Sequence, residues 1–468
     1  MSDSTLAGTR VVVVNWRDRG HPLAGGAEEY AERMARSLAA AGADVTFLTA
    51  RAPGQSPGAL AHRVRTVRRG GRWTVYLWAL VWLAANRRRV DVVLDCQNGI
   101  PFFSPLVVRR RTTVLLVMHH VHDAQFGVHF PAPLARVGRL LEGPGSRWAY
   151  RRAVTVAVSP STVRAMRERL SWTGPVYVVP NGLDRPKSTP GERSDVPSLV
   201  CLGRLVVHKR VDRLIEYTER LARRRPGLRL DVIGGGPDEP RLRAMAERAV
   251  RAGVAVRVHG YLDEAAKSAL LDAAWANVTL SDGEGWGLAV LEAAANGVPT
   301  VCRSVDGLRD SVRDGETGWL VGPDDDLLET LDQVLGKITD PAAAGSVAGA
   351  CRAWAARFDW DASGERLVRL VSSLRGRSTV EGWRPGQHEA LIARFTPPAD
   401  RAALAAALRR TGVGPVTPAV DGVLAEQHPA GDLVAALHRA GATDVRVRAA
   451  ADVERLLGTA VADRPGGG

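Results

Sequence analysis

Between Arg10 and about Arg375, short runs of β-branched and aliphatic residues alternate with alanine- and arginine-rich stretches long enough for helices. Alternation of this kind predicts parallel sheets covered by helices. In the first half, Val11–Val14, Val45–Thr49, Val90–Leu94, Val114–Met118, Val154–Val158 and Val176–Val179 read as strands. In the second half, Leu199–Leu202, Leu228–Ile233, Val256–His259, Val278–Leu280 and Thr300–Cys302 do so. Asp184 to Pro197, between the two sets, has the proline, glycine and charge of a linker. The expected fold class is therefore α/β: two Rossmann-like, doubly wound domains facing a cleft lined by the loops at their strand carboxyl ends.

Gly376 to Gly386 makes a second break. Beyond it, Leu391–Phe395, a helix over Asp400–Arg410, strands near Val416 and Val423, a helix over Gly431–Ala440 and Val445–Arg448 give the order β-α-β-β-α-β. That order suggests a small ferredoxin-like α+β appendix. The expected division is a domain over 9–185, a second over 197–358 and the appendix over 387–462.

With 468 residues, 45% hydrophobic and 24% charged, the chain has the balance of a globular protein and excludes a disordered or fibrous architecture. The net charge of +13 is carried almost wholly by arginine, with lysine only at Lys187, Lys209, Lys267 and Lys337. Such a balance favours phosphate-bearing ligands, anionic headgroups or nucleic acid. Nucleic acid is not expected as a partner, because no zinc finger, aromatic recognition motif or basic helix is present. Cys96, Cys201, Cys302 and Cys351 are scattered and form no CxxC pair, which argues against a zinc site or disulfide framework. Reduced thiols and an opening MSDSTLAGTR without an apolar core lead to the expectation of a cytoplasmic location. The apolar stretch Trp73–Ala85 is shorter than the roughly 20 residues that span a bilayer. It reads as a buried domain helix; the rival reading is peripheral contact with an anionic membrane, at its inner face, through Arg68, Arg69, Arg72 and Arg87–Arg89.

The richest chemistry lies in Ser281–Pro299, SDGEGWGLAVLEAAANGVP. Glu284 falls in the loop leaving a strand, Gly287 and Leu288 at the first turn of the next helix, and Glu292 about one turn further. Free amides at that helix start form an anion site, which Gly285, Trp286 and Gly287 lead into and where glycine lets the main chain approach a ligand closely. A second stretch, GRLVVHKR over Gly203–Arg210, also joins a strand to a helix. Arg204 offers a planar fork for phosphate oxygens and Lys209 a compact charge. Two fixed cations can stabilise phosphate charge in place of a metal, so neither a metal nor a resident cofactor is expected.

Further candidates follow other strands. NWRDRGHPLAGGAEE over Asn15–Glu29 holds Gly25 and Gly26, whose amides could meet a phosphate or a second ligand. TVLLVMHHVHD over Thr113–Asp123 ends a strand in His119, His120 and His122. Gly234 and Gly235 sit in GGGPDEP, whose spacing lacks GxGxxG and excludes a Rossmann dehydrogenase; they are expected on the nucleotide side. Asp324–Asp326 mimics a metal-binding DxD but precedes a helix, so an N-cap accounts for it better.

On these residues the chain resembles the family-4 retaining glycosyltransferases of the GT-B fold. Their mark is EGxGLxxLEAxAxGxP, matched from Glu284 to Pro299, with a GRLxxxKG segment in which this chain has Arg210 for the last glycine. A GGAE loop, the PNGLD turn at Pro180–Asp184 and the closing segment Phe358–Trp360 extend the resemblance to about residues 9–376. It implies that Glu284 contacts donor-sugar hydroxyls, Glu292 the nucleotide ribose, and one histidine the donor sugar. His119 aligns best by strand length, with His120 as the alternative. It implies too that the helix over 361–375 packs back on the first domain. The activity implied is hexosyl transfer (EC 2.4) with retention, from a nucleotide-diphosphate sugar to a glycan, polyprenyl-linked or small-molecule acceptor. The rival readings are a sugar-nucleotide epimerase and a non-catalytic sugar-nucleotide-binding protein.

Overall fold

The computed structural model describes residues 5–174, 176–184 and 191–374, together with four strands between 389 and 449. The chain forms two compact units, one from residues up to Pro180 together with those from Asp361 on, the other from Asn181 to Trp360.

The first unit opens with β1 (Arg10–Val14), α1 (Gly26–Ala40), β2 (Asp44–Thr49), β3 (Gly58–Ala61), β4 (Val64–Arg68) and α2 (Thr74–Asn86). It continues with β5 (Val92–Gln97), β6 (Thr113–Met118), α3 (Asp123–His129), α4 (Ala132–Leu140), α5 (Ser146–Ala149), β7 (Val154–Ala157), α6 (Pro160–Leu170) and β8 (Val176–Val178). The eight strands pair in the order β3-β4-β2-β1-β5-β6-β7-β8, parallel except for the β3–β4 hairpin. That hairpin was not predicted: its GALA and VRTVR strands are short, the second is interrupted by arginine, and β3 is a fully exposed edge.

β5 begins two residues later than Val90 and runs on through Asp95, Cys96 and Gln97, all buried. The polar stretch survives in a central strand because Asp95 accepts from the amides of Phe102 (3.0 Å) and Ser104 (3.1 Å) and from the Tyr150 hydroxyl.

The expectation of a wholly buried helix at Trp73–Ala85 is corrected. Val75, Ala79 and Leu83 of α2 are buried in the core and Tyr76, Trp78 and Trp82 pack partly against it, while Trp73, Leu77 and Val81 on the other side are 62, 68 and 59% exposed. Among the described residues no helix is long and apolar enough to cross a membrane.

The second unit comprises β9 (Ser198–Leu202), α7 (Val211–Ala222), β10 (Arg229–Ile233), α8 (Glu239–Arg251), β11 (Ala255–Gly260), α9 (Glu264–Ala273), β12 (Ala276–Thr279) and α10 (Leu288–Ala295). β13 (Thr300–Arg303), α11 (Leu308–Ser311), β14 (Gly318–Val321), α12 (Leu327–Lys337) and α13 (Pro341–Ala355) complete it. Its six parallel strands pair as β11-β10-β9-β12-β13-β14. The order reverses between β9 and β12, and in doubly wound sheets ligands bind at the carboxyl ends of the strands flanking such a reversal. β14, missed in the sequence because GWLV is a short run without alternation, closes one edge.

From Trp360 the chain enters α14 (Trp360–Leu374), whose body from Asp361 belongs to the first unit. There the Leu374 carbonyl accepts from the Thr113 hydroxyl at 3.0 Å, and Gly364 lies so close to Ser37 that a Cβ would not fit. Beyond it, β15 (Glu389–Phe395), β16 (Val416–Ala419), β17 (Gly422–Glu426) and β18 (Ala442–Ala449) pair antiparallel in the order β16-β17-β15-β18. The helices expected over 400–410 and 431–440 lie outside the described residues.

Candidate active site

Two turns leave the adjacent strands β9 and β12 at the reversal of the second sheet. The turn after β9 carries Gly203, Arg204 and Lys209 into α7; the turn after β12 carries Ser281 and Glu284 into α10. The Lys209 ammonium is ion-paired with the Glu284 carboxylate, which also accepts from the Ser281 hydroxyl at 2.8 Å. Arg204 and Lys209 line one small pocket together with Thr279 at the end of β12. Among the described residues the Arg204 guanidinium has no hydrogen-bond or ion-pair partner, which leaves its donor fork available to a ligand.

The electrostatics follow from this packing. Burial alone would push the Glu284 carboxyl up, yet the charge of Lys209 and the bonds from Lys209 and Ser281 outweigh it and hold the group below its ordinary value. Glu284 is therefore an anion at neutral pH, with its side chain only 19% exposed. Cys201, in the wall of the same pocket, has its thiol pushed up to about 12 by burial, which removes it as a nucleophile.

The glycine-rich turn after β10 has a positional job. The Gly203 amide donates to the Ile233 carbonyl at 3.0 Å and the Leu205 amide to that of Gly235 at 2.9 Å, clamping the Arg204 turn against it. A Cβ on Gly234, whose φ is +129°, would fall 1.9 Å from the Gly203 carbonyl oxygen. Gly234 and Gly235, assigned to the nucleotide side by sequence, thus fix the backbone on either side of Arg204.

Gly287 caps α10 in the left-handed region at φ +89°, and a Cβ there would meet the Ser311 hydroxyl at 2.7 Å. Glu292, one turn into α10, is bound by Lys267 of α9 at 3.1 Å. Burial would lower the Lys267 ammonium, but Glu292 and Glu264 reverse the shift and raise it. Lys267 had no motif to mark it in the sequence. The Trp286 side chain is 5% exposed and packs edge-on against Phe358, with ring centroids 5.1 Å apart. Its ring anchors the loop, and only its backbone is left to meet a ligand. Gly285 and Leu288 are half-buried beside it.

In the first unit, His119 directly follows β6 and is 6% exposed, with its ring edge-on to Tyr30 at 5.2 Å. Its Nε2 has no partner among the described residues, and burial pushes its pKa down to about 3, so the ring is neutral at pH 7. His120 is half-buried with its ring against that of His122. At the turn after β1, the Gly25 amide donates to Glu28 at 2.6 Å, and Arg17 donates to the other oxygen of that buried carboxylate at 3.0 Å. Contrary to the expectation for Gly25, its N–H is thereby engaged within the loop; the amides free of helical partners begin at Gly26, the first residue of α1. The buried Arg17–Glu28 pair was invisible in the sequence, since nothing in RDRGHPLAGGAEE says which charges fold inward.

Asp123 is held by Arg169, and Asp326 caps α12 through the Leu328 amide at 2.9 Å. Among the described residues no group of three or more His, Cys, Asp or Glu is arranged to hold a metal ion.

Comparison with known proteins bears on this geometry. The description "Glycosyltransferase Family 4" matches residues 24–186, and "Glycosyl transferases group 1" matches residues 185–342. A GDP-mannose-dependent alpha-(1-6)-phosphatidylinositol monomannoside mannosyltransferase of Mycolicibacterium smegmatis is 30% identical over 317 residues, covering 57% of this chain and 81% of that one. The chain belongs to the family-4 glycosyltransferases.

A glycogen synthase of Mycobacterium tuberculosis is 36% identical to this family-4 glycosyltransferase over 197 residues, 40% of this chain and 45% of the synthase. Sucrose-phosphate synthase from Thermosynechococcus elongatus shares the fold at a TM-score of 0.65 and 20% identity, over 78% of this chain and 99% of that one. The two parallel-sheet units are thus those of a GT-B glycosyltransferase, an enzyme that transfers sugar from a nucleotide-sugar donor.

Proposed function

We propose that this glycosyltransferase holds the diphosphate of its donor at the reversal of the second sheet and transfers the sugar with retention and without a metal or resident cofactor. The observation that supports this most is the grouping of Arg204, Lys209 and Glu284 on the adjacent exits of β9 and β12. Arg204 and Lys209 take the phosphate oxygens, joined by the backbone amides at Gly285, Gly287 and Leu288. The Glu284 carboxylate accepts from sugar hydroxyls, Glu292 from the ribose. Because an ammonium has three donors, Lys209 can keep Glu284 ionised and still turn a proton toward phosphate.

In the reaction the bond from the anomeric carbon to the diphosphate oxygen breaks, and the acceptor oxygen bonds to the same face of that carbon. The acceptor's proton passes to the departing diphosphate. Two preorganised cations aimed at the charge that develops there are worth a few kcal/mol each. Neutral His119 suits a sugar hydroxyl better than a phosphate, and with the amides at Gly26 it is assigned to the sugar and acceptor side.

The mannosyltransferase similarity makes GDP-mannose the first donor to try, and a lipid-linked or glycan acceptor is favoured over a small molecule on the same ground. Labelled sugar transfer by wild-type protein, by Glu284→Gln, Arg204→Ala and Lys209→Ala, and by protein treated with EDTA tests the reading. Severe loss in all three variants with full activity in EDTA is expected; normal turnover in the variants removes the site assignment, and activity lost in EDTA and restored by manganese or magnesium removes metal independence.

A further inference from the structure

One face of the first unit is both apolar and basic in a way the transfer reaction does not use. α2 has no charged side chain in its thirteen residues, TVYLWALVWLAAN, yet only its Val75–Ala79–Leu83 stripe is fully buried, with Tyr76, Trp78 and Trp82 partly covered beside it. Helices apolar all round are ordinarily buried on every side. Here Trp73, Leu77 and Val81 point to solvent. α4 repeats the arrangement: Ala135 and Gly138 face inward while Leu134, Val137 and Leu140 are 58, 51 and 58% exposed, with exposed Arg136 and Arg139 between them.

Ring contacts place these helices on one side of the sheet. Phe130, two residues before α4, lies 6.2 Å from Trp73 at the start of α2. Tyr76 of α2 stacks on Phe102 at 4.5 Å, and Phe103 next to it meets Tyr150, the residue after α5. α5 in turn exposes Trp148 (59%), with the Arg151 guanidinium over its ring at 5.6 Å.

The charge on this face has a single sign. Exposed Arg87–Arg89, Arg109–Arg111 and Arg151–Arg152 lead into β5, β6 and β7, which are neighbouring parallel strands, so all eight arginines gather at the amino-terminal ends of these strands. From residue 45 to 167 there are 19 arginines and four acids, Asp91, Asp95, Asp123 and Glu142. Asp95 and Glu142 are fully buried, Asp91 pairs with Arg10 and Asp123 with Arg169. Little negative charge is left to offset the arginines.

We infer that the outer faces of α2, α4 and α5, rimmed by these arginines, form a docking surface for an anionic lipid bilayer. Leucine, valine and tryptophan seat at the headgroup boundary while the guanidinium groups meet lipid phosphates. A second copy of the chain is disfavoured as the occupant, since it would set arginine against arginine.

Co-sedimentation of the full chain with vesicles tests this without any assay of sugar transfer, so its outcome is separate from that of the proposed reaction. With phosphatidylcholine–phosphatidylglycerol vesicles, binding about tenfold above that to phosphatidylcholine alone is expected, falling as salt rises. Leu77→Glu with Leu134→Glu, and separately Arg87→Glu with Arg88→Glu and Arg89→Glu, should each remove most of it while the melting temperature stays unchanged. The proposal is overturned by no vesicle binding in the wild type, by equal binding to neutral and anionic vesicles, or by variants that bind as the wild type does. It is equally overturned if the apolar substitutions abolish self-association instead.

Discussion

The Lys209 ammonium and the Glu284 carboxylate, 75 positions apart in sequence, form an ion pair that ties the turn after β9 to the turn after β12. Each partner is more than four-fifths covered, so removing one leaves the other charge poorly solvated. Lys209→Ala should lower both stability and turnover, turnover by roughly 10²- to 10³-fold. In the double variant Lys209→Ala/Glu284→Gln, denaturant titration should show much of the stability recovered while turnover stays low. A double variant as active as the wild type would mean the pair is merely structural.

His119 predicts a pH dependence. Its folded pKa, about 3, lies below the ordinary 6.5 of histidine because the ring is buried, with His122 adding to the shift. The unfolded chain therefore binds the proton more tightly, and stability must rise with pH through the window from about 3 to 6.5. The contribution is complete above 6.5 and is lost as the pH falls through that window. His119→Gln should flatten the stability profile between these limits. An unchanged slope in the variant would show that other groups set the acid limb.

The parallel sheets were readable because buried central strands consist of β-branched runs bounded by glycine and charge, as in VVVV before Asn15 or LVCL before Gly203. Runs broken by polar residues were not. β5 slid by two positions because the pairing of Asp95 with Tyr150 and two amides, which makes a carboxyl tolerable in a central strand, involves residues 7 to 55 positions away. The same limit governs the site. Glu284, Arg204 and Lys209 could be nominated from local motifs, but Lys267 against Glu292 and Arg17 against Glu28 depend on which neighbour the fold supplies. That the Trp286 ring packs on Phe358 could not be read from its place in the motif either.

The clamp on Arg204 can be tested by two neighbouring glycines that differ in what opposes them. Gly234→Ala drives a methyl into the Gly203 backbone and forces alanine to a positive φ, so a loss of about 2 kcal/mol or more is expected. Gly235→Ala meets the ring of Tyr261, a 69% exposed side chain that can swing away, and should cost under about 1 kcal/mol. Thermal unfolding of the two variants checks the order. If Gly235→Ala proved the worse, the backbone clamp would not be what holds the turn.

Arg210 stands where the resemblance calls for glycine, and its backbone explains the preference: φ is +53° and ψ +35°, a left-handed conformation immediately after Lys209. For a residue with a Cβ this conformation costs roughly 1–2 kcal/mol. The side chain offsets part of it by reaching Asp282 at 2.8 Å, a carboxylate that Arg303 also binds at 2.8 Å. That pair is exposed on both sides and worth about 0–1 kcal/mol. Arg210→Gly should therefore match or exceed the wild type in stability and keep its activity, because the turn that aims Lys209 is preserved. Arg210→Val, β-branched and without the ion pair, should lose about 2 kcal/mol and reduce turnover as Lys209 is displaced. Were the glycine variant clearly less stable than the wild type, the Asp282 contact rather than the backbone would be what shapes this turn, and the valine variant would then differ little from it.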